Sequence, residues 1–386
     1  MKHNWTYKKL GELVDVLNGY AFKSSNYVKD GIRVIRIANV QKGKIVDEAP
    51  AFYPLSAESE LTRYMLHEDD ILLSLTGNVG RVGLLPKEML PAALNQRVAC
   101  LRIKDDILMF KFLYQFLNSD YFEQKCIESS RGIAQLNMST EWLKDYPLPI
   151  PSLDEQQAIV RELDGINHLI DLQEEQLREY DRLAQSLFYT TFGDPATNPK
   201  GWEVKKLGEV AEPTTGITYS PDDVVDDGII VLRSSNIQDN KLDFGDIVRV
   251  RKNVAEKYYV KAGDILMCSR NGSFRLVGKT ALVDNLNEKM TWGAFMTIIR
   301  SDYNPYLLQY FRTPAFREQL TTAKTTTVNQ ITIGMLKKIQ LPIPPANLQQ
   351  SFAAQIETIE QQKALVRKSL DETRTLLAAR MQHYFE

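Results

Sequence analysis

The sequence predicts an α+β protein: two tandem mixed α/β domains separated by two long antiparallel coiled-coil helices, arising from an internal duplication. Three observations predict this. The same motifs occur twice at a nearly constant spacing, short apolar runs are broken by Gly and Asn, and two segments carry a heptad repeat. We expect the order domain, helix, domain, helix, with boundaries at 1–150, 151–192, 193–345 and 346–386.

The duplication extends over the whole chain. The matching segments are WTYKKLGELV (5–14) and WEVKKLGEVA (202–211), GIRVIRIANVQKGKI (31–45) and GIIVLRSSNIQDNKL (228–242), and LPIPSLDEQQ (148–157) and LPIPPANLQQ (341–350). The offset is 197 for the first two pairs and 193 for the last. A drift of only four residues indicates one ancestral unit repeated, since chance matches would not keep a common spacing.

The globular parts are predicted to mix strands and helices. The runs RVIRIANV, DILLSL, RVACLRI, IIVLRSS and FMTIIR are short, β-branched and bounded by turn residues, as is typical of strands. The segments FKFLYQFLNSDYFEQKCIES and PYLLQYFRTPAFREQL have the apolar spacing of helices. Each globular part is therefore expected to be a mixed α/β domain.

The two tails carry mostly apolar residues at strict 4,3,4,3 spacing, which predicts coiled-coil helices. The heptad positions are Ile159, Leu163, Ile166, Ile170, Gln173, Leu177, Tyr180, Ala184, Leu187 and Thr191, and then Phe352, Ile356, Ile359, Lys363, Val366, Leu370, Thr373, Leu377, Arg380 and Tyr384. Ser152 or Asp154 is expected to cap the first helix and Asn347 the second. Antiparallel pairing within the chain is the simplest arrangement. Alternatively, the helices pair with other chains, or each helix packs on its own domain.

Composition excludes several classes of protein. No apolar run approaches the roughly 20 residues that span a bilayer, and the amino-terminal segment lacks the apolar stretch of a signal peptide. The cysteines Cys100, Cys126 and Cys268 are widely separated, and the four histidines are isolated. We therefore expect a cytoplasmic protein with reduced thiols, no metal site and no membrane partner.

Two fragments resemble catalytic motifs without matching them. Asn304-Pro305-Tyr306 lacks one proline of the N-P-P-Y methyltransferase motif, and helix initiation explains it. GSFRLVGKT at 272–280 has five residues between its glycines where a phosphate-binding loop has four. We expect no catalytic residue in this chain.

Charge permits a nucleic-acid partner without requiring one. The net charge is −2, but residues 153–192 hold 9 acidic and 3 basic side chains, so the remainder sums to +4. Glu174, Glu175 and Glu179 lie on the first predicted helix, either as solvated surface or as a face that docks a partner protein.

The chain resembles the specificity (S) subunit of type I restriction-modification systems. The resemblance rests on W-x-x-K-K-L-G-E-[LV], R-x-x-N-[VI]-Q, D-I-L, L-P-I-P followed by Q-Q, and the FGDP…NPKGWEVKKLGE junction. It implies two target-recognition domains that each read half of a bipartite, asymmetric double-stranded DNA site, with the helices as spacer. It further implies a non-catalytic role in phage defence.

The resemblance also implies partners. Two modification subunits would carry adenine methyltransferase activity and use S-adenosylmethionine. Restriction subunits would act as motor-nucleases with ATP and Mg. No cofactor is expected in this chain.

Polar side chains in Gly-rich turns are the candidate DNA-binding residues, because Arg, Asn and Gln read base edges while Lys, Ser and Thr contact phosphates. In the first repeat they are Asn18, Gly19, Lys23, Thr76, Gly77, Asn78, Arg81, Asn95, Gln96, Arg97, Arg131, Gln135 and Asn137. In the second they are Thr218, Tyr219, Ser269, Arg270, Asn271, Ser273, Arg275, Thr325, Thr326, Thr327, Asn329 and Gln330. For any single one, turn formation or exposed polarity is the alternative.

The repeats differ most in these turns, where TGNVGR becomes SRNGSFR and NQRVAC becomes WGAFMT. Different turns predict different half-sites. Arg36/Arg233 and Asn39/Asn236 recur in both repeats, which favours scaffold or phosphate contacts over base reading. The rival hypothesis is a non-enzymatic scaffold whose two domains bind other proteins, and the near-neutral charge keeps it open.

Overall fold

The computed structural model describes residues 5–130, 136–284, 286, 288–322 and 329–386. Its contacts divide the chain into unit 1 (Met1–Glu175 with Arg367–Glu386) and unit 2 (Gln176–Val366). The predicted boundaries of the domains and spacer helices remain predictions. Each unit combines one globular part with a section of each long helix.

Unit 1 is built on short strands, most of them antiparallel. They are β1 (Thr6–Lys9), β2 (Val14–Asn18), β3 (Ile32–Ile35), β4 (Val40–Gln41), β5 (Lys44–Ile45), β6 (Phe52–Tyr53), β7 (Ile71–Ser74), β8 (Val82–Leu84), β9 (Ala92–Leu94), β10 (Val98–Ile103) and β11 (Pro147–Ile150). One sheet has the order β2-β10-β7-β8 and another β6-β3-β9, in which β3 and β9 run parallel. The pairs β1-β11 and β4-β5 complete the unit.

The helices of unit 1 contribute aromatic side chains to its core. They are α1 (Leu10–Leu13), α2 (Glu58–Leu61), α3 (Phe110–Leu117), α4 (Asp120–Ser129), α5 (Thr140–Asp145) and the first part of α6 (Leu153–Phe192), with 3-10 turns at Ser24–Asn26, Leu55–Ala57, Thr62–Tyr64 and Lys87–Met89. The core gathers Phe112, Phe116, Phe122 and Leu163. The segment 110–129 forms two helices because Ser119 caps the second, its Oγ accepting from Phe122 N.

Unit 2 repeats this strand order. Its strands are β12 (Glu203–Lys206), β13 (Glu212–Thr215), β14 (Val224–Leu232), β15 (Ile237–Gln238), β16 (Lys241–Leu242), β17 (Arg249–Val250), β18 (Ile265–Cys268), β19 (Thr280–Leu282), β20 (Met290–Trp292), β21 (Met296–Arg300) and β22 (Gln340–Ile343). The sheets are β13-β21-β18-β19, β17-β14-β20, β12-β22 and β15-β16, with β14 parallel to β20. Each sheet has a counterpart in unit 1, so the duplication is confirmed at the level of topology.

The helices of unit 2 also repeat those of unit 1. They are α7 (Leu207–Val210), α8 (Asn304–Tyr310), α9 (Pro314–Thr322), α10 (Ile333–Lys338) and the first part of α11 (Ala346–Phe385), with 3-10 turns at Pro221–Asp223, Ser234–Asn236, Glu256–Tyr258 and Phe274–Leu276. Phe188 and Phe352 pack with Tyr306 in the core.

The twice-written phrase L-P-I-P…Q-Q marks the point where a sheet passes into a long helix. Its Leu-Pro-Ile section forms β11 and β22, which pair with β1 and β12. Its first glutamine then turns back: Gln156 Nε2 donates to Pro151 O at 3.0 Å, and Gln349 Nε2 donates to Pro344 O at 2.6 Å. Both glutamines are buried, so each copy fixes a helix start against its globular part.

The helix starts bear out one predicted cap and correct the other. Ser152 and Glu155 form a reciprocal cap, because Glu155 Oε2 accepts from Ser152 N at 3.0 Å and Ser152 Oγ accepts from Glu155 N. Asn347 is not the cap of α11, which begins at Ala346. The carbonyl of Pro345 accepts from the backbone N–H groups of residues 348 and 349 instead.

The helices run antiparallel within each unit, as predicted. In unit 1, Arg380 Nη2 donates to Glu162 Oε2 at 2.9 Å, while Gln173 Nε2 donates to Ser369 Oγ at 2.9 Å. Residue number therefore rises along α6 as it falls along α11. All twenty heptad positions are buried or half-buried, which confirms the predicted repeat.

Candidate nucleic-acid interface

In unit 1, four separate stretches of sequence meet at one edge of the β2-β10-β7-β8 sheet. Leu75 N, just after β7, donates to Arg97 O at 2.9 Å, just before β10. Met138 N donates to Leu75 O at 2.8 Å, and Thr76 forms an isolated bridge with Asn137. The sheet edge thus brings together predicted clusters that lie up to about 120 residues apart in sequence.

These stretches line a concavity of about 580 Å³, called here the unit 1 concavity. Its lining residues are Asn18, Leu75, Thr76, Gln96, Arg97, Asn137, Met138, Ser139 and Thr140. Five of them are predicted DNA-binding residues, and all four sequence clusters contribute. Asn18, Gln96, Arg97 and Asn137 are exposed, so their polar ends are accessible to a ligand.

Unit 2 has the same backbone framework. Ser269 N donates to Phe295 O at 2.9 Å, Ile331 N donates to Ser269 O at 2.7 Å, and Arg270 forms an isolated bridge with Gln330. These bonds match those of Leu75, Arg97, Met138 and the Thr76–Asn137 bridge, one for one.

The matching hydrogen bonds define which turn residues of the two units are equivalent. In the framework Arg270 stands where unit 1 has Thr76, and Phe295 stands where unit 1 has Arg97. In this framework SRNGSFR begins one position before TGNVGR, and WGAFMT begins one position before NQRVAC. The two units present different side chains from the same backbone positions.

The unit 2 concavity has a volume of about 520 Å³ and is lined by Ser234, Arg270, Asn271, Gly272, Phe295 and Asn329. The Arg270 guanidinium carbon lies 5.0 Å from the centre of the Phe295 ring. Sequence reasoning missed Ser234, Gly272 and Phe295. Phe295 lies inside the quoted turn WGAFMT, and an aromatic residue following Gly-Ala in a turn was the available signal.

Buried groups beneath Arg270 hold its backbone in place. The Cys268 thiol donates to Arg270 O at 3.7 Å, and burial raises the pKa of this thiol, so it stays protonated and able to donate. Ser269 Oγ donates to Thr297 Oγ1, and both residues are buried. Ser269, a predicted DNA-binding residue, therefore has its side chain directed into the sheet.

Two glycines permit the close approach of strands at this edge. A Cβ on Gly19 would lie 2.2 Å from the backbone carbon of Asn95, and one on Gly216 would lie 2.1 Å from the carbonyl oxygen of Trp292. These glycines are equivalent in the two repeats. Gly19 was predicted to be a DNA-binding residue, and the structure gives it this steric role.

Arg81 is engaged within the protein. Its Nη1 donates to the side-chain oxygen of Gln41, and its backbone N–H donates to Ser74 Oγ at 3.1 Å. Its position in the turn after β7 thus serves the β7–β8 connection.

The remaining predicted residues are distributed around the concavities. Lys23, Asn78, Thr218, Ser273, Arg275 and Gln330 are exposed, and Gly77, Asn95 and Tyr219 are half-buried. None of these nine lines either concavity. Arg131, Gln135, Thr325, Thr326 and Thr327 lie outside the described residues.

The asparagines that recur in both repeats support the scaffold. Asn39 Oδ1 accepts from Arg36 N at 2.9 Å and its Nδ2 donates to Val46 O at 2.8 Å. Asn236 makes the equivalent bonds, with Arg233 N at 2.8 Å, and both asparagines are buried. They hold a turn and are not available to bases.

The D-I-L motif has a similar structural role. Asp70 pairs with Arg102 at 2.6 Å and Asp264 pairs with Arg300 at 2.9 Å. Both aspartates are buried, and each also accepts a backbone N–H at 2.8 Å. In unit 1 the ion pair joins the start of β7 to β10, and in unit 2 it joins the start of β18 to β21.

Acidic residues of α6 are engaged in ion pairs. Glu174 pairs with Arg374 at 2.8 Å within unit 1, and Glu179 pairs with Arg182 on the same helix. Glu162 accepts hydrogen bonds from Arg380 and Tyr384, which lower the pKa of its carboxyl group. The α6 surface therefore carries less free negative charge than its sequence suggests.

The segments that resembled catalytic motifs have structural roles. Asn304-Pro305-Tyr306 begins α8, and Lys279 of GSFRLVGKT donates to Ile237 O at 2.7 Å while Thr280 opens β19. A phosphate-binding loop leads into a helix, and this one leads into a strand. Across the part of the chain that the structure describes, no group of three or more His, Cys, Asp or Glu is arranged to hold a metal ion.

No described helix is both long and apolar enough to cross a membrane.

The repeats match one known family. The model of the type I restriction modification DNA specificity domain matches residues 2–180 and, a second time, residues 199–373. These segments coincide with the two copies found in the sequence.

Curated relatives have the same description. The chain is 29% identical over 188 residues to the type I restriction enzyme MjaVIII specificity subunit of Methanocaldococcus jannaschii, covering 48% of this chain and 44% of the relative. It is 23% identical over 295 residues to the type I restriction enzyme EcoBI specificity subunit of Escherichia coli, covering 68% and 60%. The alignments thus span about half of the length of the relatives.

Solved structures are similar in fold. The S subunit of the type I restriction-modification system of M. genitalium superposes with a TM-score of 0.53 at 15% identity, covering 99% of this chain and 96% of that one. A chain from a structure of type I R-M complex assembly and conformational transition gives 0.58 at 20% identity, covering 99% and 97%. Because the family matches cover most of the sequence and fall on its two repeats, the chain belongs to the type I restriction modification DNA specificity domain family.

Proposed function

We propose that the chain is the subunit of a type I restriction-modification complex that recognises double-stranded DNA by sequence. Unit 1 reads one half of a bipartite, asymmetric site and unit 2 reads the other. The observation that carries the proposal is the shared backbone framework with different side chains: Thr76 and Arg97 in unit 1, Arg270 and Phe295 in unit 2.

This arrangement fits the physical demands of reading a split site. Two reading surfaces need a fixed distance and rotational phase on the duplex, and paired helices hold phase where a flexible linker would not. Exposed Arg, Asn and Gln side chains at the concavities are the residue types that contact base edges. The ion pairs along α6 reduce repulsion from DNA that its acidic sequence would otherwise create.

The proposal extends to partners and cofactors. Two modification subunits supply adenine methylation with S-adenosylmethionine, and restriction subunits supply ATP- and Mg-dependent translocation and cleavage. This chain supplies no reacting group and orients the other subunits. Support for these points comes from the family alone.

A protein-interaction scaffold is the second candidate. Unit 2 has a groove of about 1230 Å³ lined partly by Phe244 and Ile247, which are 42% and 41% exposed. Exposed apolar groups in a groove favour a protein partner. The two candidates differ in their response to duplex DNA, since only DNA reading requires sequence-selective, salt-sensitive binding.

The first test is methylome sequencing of a host that lacks other methyltransferases. The full chain is expressed with its modification subunit, and the modification subunit alone is the control. Methylated adenines on both strands of one split, asymmetric motif are expected. Absence of any motif, with a folded modification subunit present, would contradict DNA recognition and leave the scaffold as the better account.

A further inference from the structure

Arg270 is held in a defined position over an exposed aromatic ring. The backbone N–H groups of Ser269 and Arg270 both donate to Phe295 O, at 2.9 and 3.0 Å. The guanidinium lies 5.0 Å from the ring centre, and Phe295 is 57% exposed. The ring attracts the guanidinium through a cation–π contact, so it supports the cation in this position.

Other polar groups of the unit 2 concavity make hydrogen bonds within the protein. Asn271 Nδ2 donates to Ser234 Oγ at 3.2 Å, and Asn271 Oδ1 accepts from Ser273 N at 3.0 Å. Asn329 Nδ2 donates to Gly272 O at 2.9 Å. These bonds fix the orientation of the two amides at the rim.

The N–H donors of the Arg270 guanidinium are available to a ligand. Among the described residues, none accepts a hydrogen bond from its side chain, and no carboxylate lies within 4.0 Å of it. Two other arginines of unit 2 differ: Arg233 pairs with Asp246 and Arg317 donates to Val277 O. Among the described residues that line this concavity, Arg270 is thus the cation, and it is exposed and oriented over the ring.

A planar guanidinium matches one base edge best. In the major groove guanine presents two acceptors, O6 and N7, whereas adenine presents one acceptor and one donor. A fork of donors fixed against an aromatic ring therefore discriminates guanine from adenine.

We propose that Arg270 is the base-reading residue of unit 2 and that it reads a guanine in the half-site of that unit. The inference rests on the proposed function and goes further by naming a residue and a base. Unit 1 has Thr76 at the same framework position, so it reads a different base there. Phe295 acts as a positioning residue for the guanidinium.

The test uses the full chain expressed with its modification subunit, in the wild-type form and as four variants. Arg270→Ala removes the fork, Arg270→Lys keeps the charge without the fork, and Phe295→Ala removes the support. Arg251→Ala is the charge-matched control, because Arg251 is also exposed in unit 2 but does not line the concavity. Methylome sequencing gives the motif of each protein.

The wild-type motif is expected to contain a guanine in one half that Arg270→Ala ceases to specify. The preference for guanine at that position falls about 5- to 150-fold, which is the range for one bidentate contact. Arg270→Lys falls by at least about 5-fold, and Phe295→Ala by about 2- to 5-fold. The other half of the motif and the Arg251→Ala motif stay unchanged, which shows that the variants are folded.

Several results would overturn the inference while the proposed function stands. They are a wild-type motif without guanine in either half, an unchanged Arg270→Ala motif, and full guanine preference in Arg270→Lys. A uniform loss of methylation over all sites, with a duplex-binding salt slope smaller by about one, would assign Arg270 to a phosphate. A wild-type protein that yields no motif would refute both proposals together.

Discussion

Phe385 is predicted to anchor α11 in the core of unit 1, so its truncation is expected to destabilise that unit selectively. The ring lies 5.8 Å from that of Phe112 and 5.4 Å from that of Phe116, both edge-on. Only 5% of the residue is exposed. Phe385→Ala removes the ring and leaves a cavity between the helix and the aromatic cluster.

The expected cost follows from this burial. Truncating a buried Phe to Ala lowers the free energy of unfolding by about 3–5 kcal/mol, from lost transfer energy and the residual cavity. For a unit of this size, 1 kcal/mol corresponds to about 2–4 °C in the melting temperature. The unit 1 transition should therefore fall by roughly 6–20 °C.

The assay is differential scanning calorimetry of the full chain, with a matched pair and a control. Phe352 is fully buried against Phe192 at 4.9 Å in unit 2, so Phe352→Ala should lower the other transition. Phe295→Ala truncates an exposed ring and should change stability by no more than about 0.5 kcal/mol. If Phe385→Ala left both transitions in place, the assignment of α11 to the unit 1 core would be refuted.

Three further predictions concern single positions. Gly216→Ala is expected to destabilise unit 2 and to weaken the base preference in one half of the methylated motif, because its Cβ would lie 2.1 Å from Trp292 O. Calorimetry measures the first effect and methylome sequencing measures the second. Gly165→Ala is expected to raise the free energy of unfolding by about 0.5–1 kcal/mol in a denaturant titration, since this helical glycine has open space around it. Asp70→Asn is expected to lower that free energy by about 2–3 kcal/mol, less than for a fully buried pair because the Arg102 side chain is 32% exposed.

Each of these has its own check. Gly334→Ala is the matched control for Gly216→Ala, since the nearest atom to its would-be Cβ is Thr332 Oγ1 at 3.8 Å, an ordinary contact. Wild-type stability and motif in Gly216→Ala would contradict the steric argument. A destabilised Gly165→Ala protein would indicate that the glycine has a partner surface. Unchanged stability in Asp70→Asn would show that the duplicated ion pair is dispensable.

Sequence periodicity predicted the long helices well for a physical reason. A heptad repeat reports directly which side of a helix is buried, and neighbouring positions share the same environment over many turns. Even the polar positions Gln173, Lys363 and Thr373, which composition alone would assign to the surface, are buried in the structure. The offset between repeats predicted the common topology because duplicated sequences keep one fold.

The clustering of the candidate residues in unit 1 was predicted in part. Asn18, Thr76, Gln96, Arg97 and Asn137 were singled out from turn composition, and the sheet edge brings them together. What joins them is long-range strand pairing, which leaves no local signal in sequence.

Two further residues show the same limit. Arg81 had the composition of a DNA contact, and its partner Gln41 lies 40 residues away. Phe295 was overlooked because its ring contacts the Arg270 guanidinium, and these residues lie 25 positions apart in sequence. The hydrogen bonds define which turn residues are equivalent, because turns with little sequence identity give no such correspondence by themselves.

The duplication creates a problem of register that the polar heptad positions solve. Helices with a repeated apolar pattern can slip by seven residues, about 10.5 Å, with similar apolar contacts. In unit 2 the nearly buried Lys363 ammonium pairs with Asp181 at 2.6 Å, and in unit 1 Gln173 donates to Ser369. A slip would separate Lys363 from Asp181 and leave it only Glu360 of its own helix, at 3.1 Å. It would also separate Gln173 from Ser369. These polar pairs therefore favour one register of α6 against α11 within each unit.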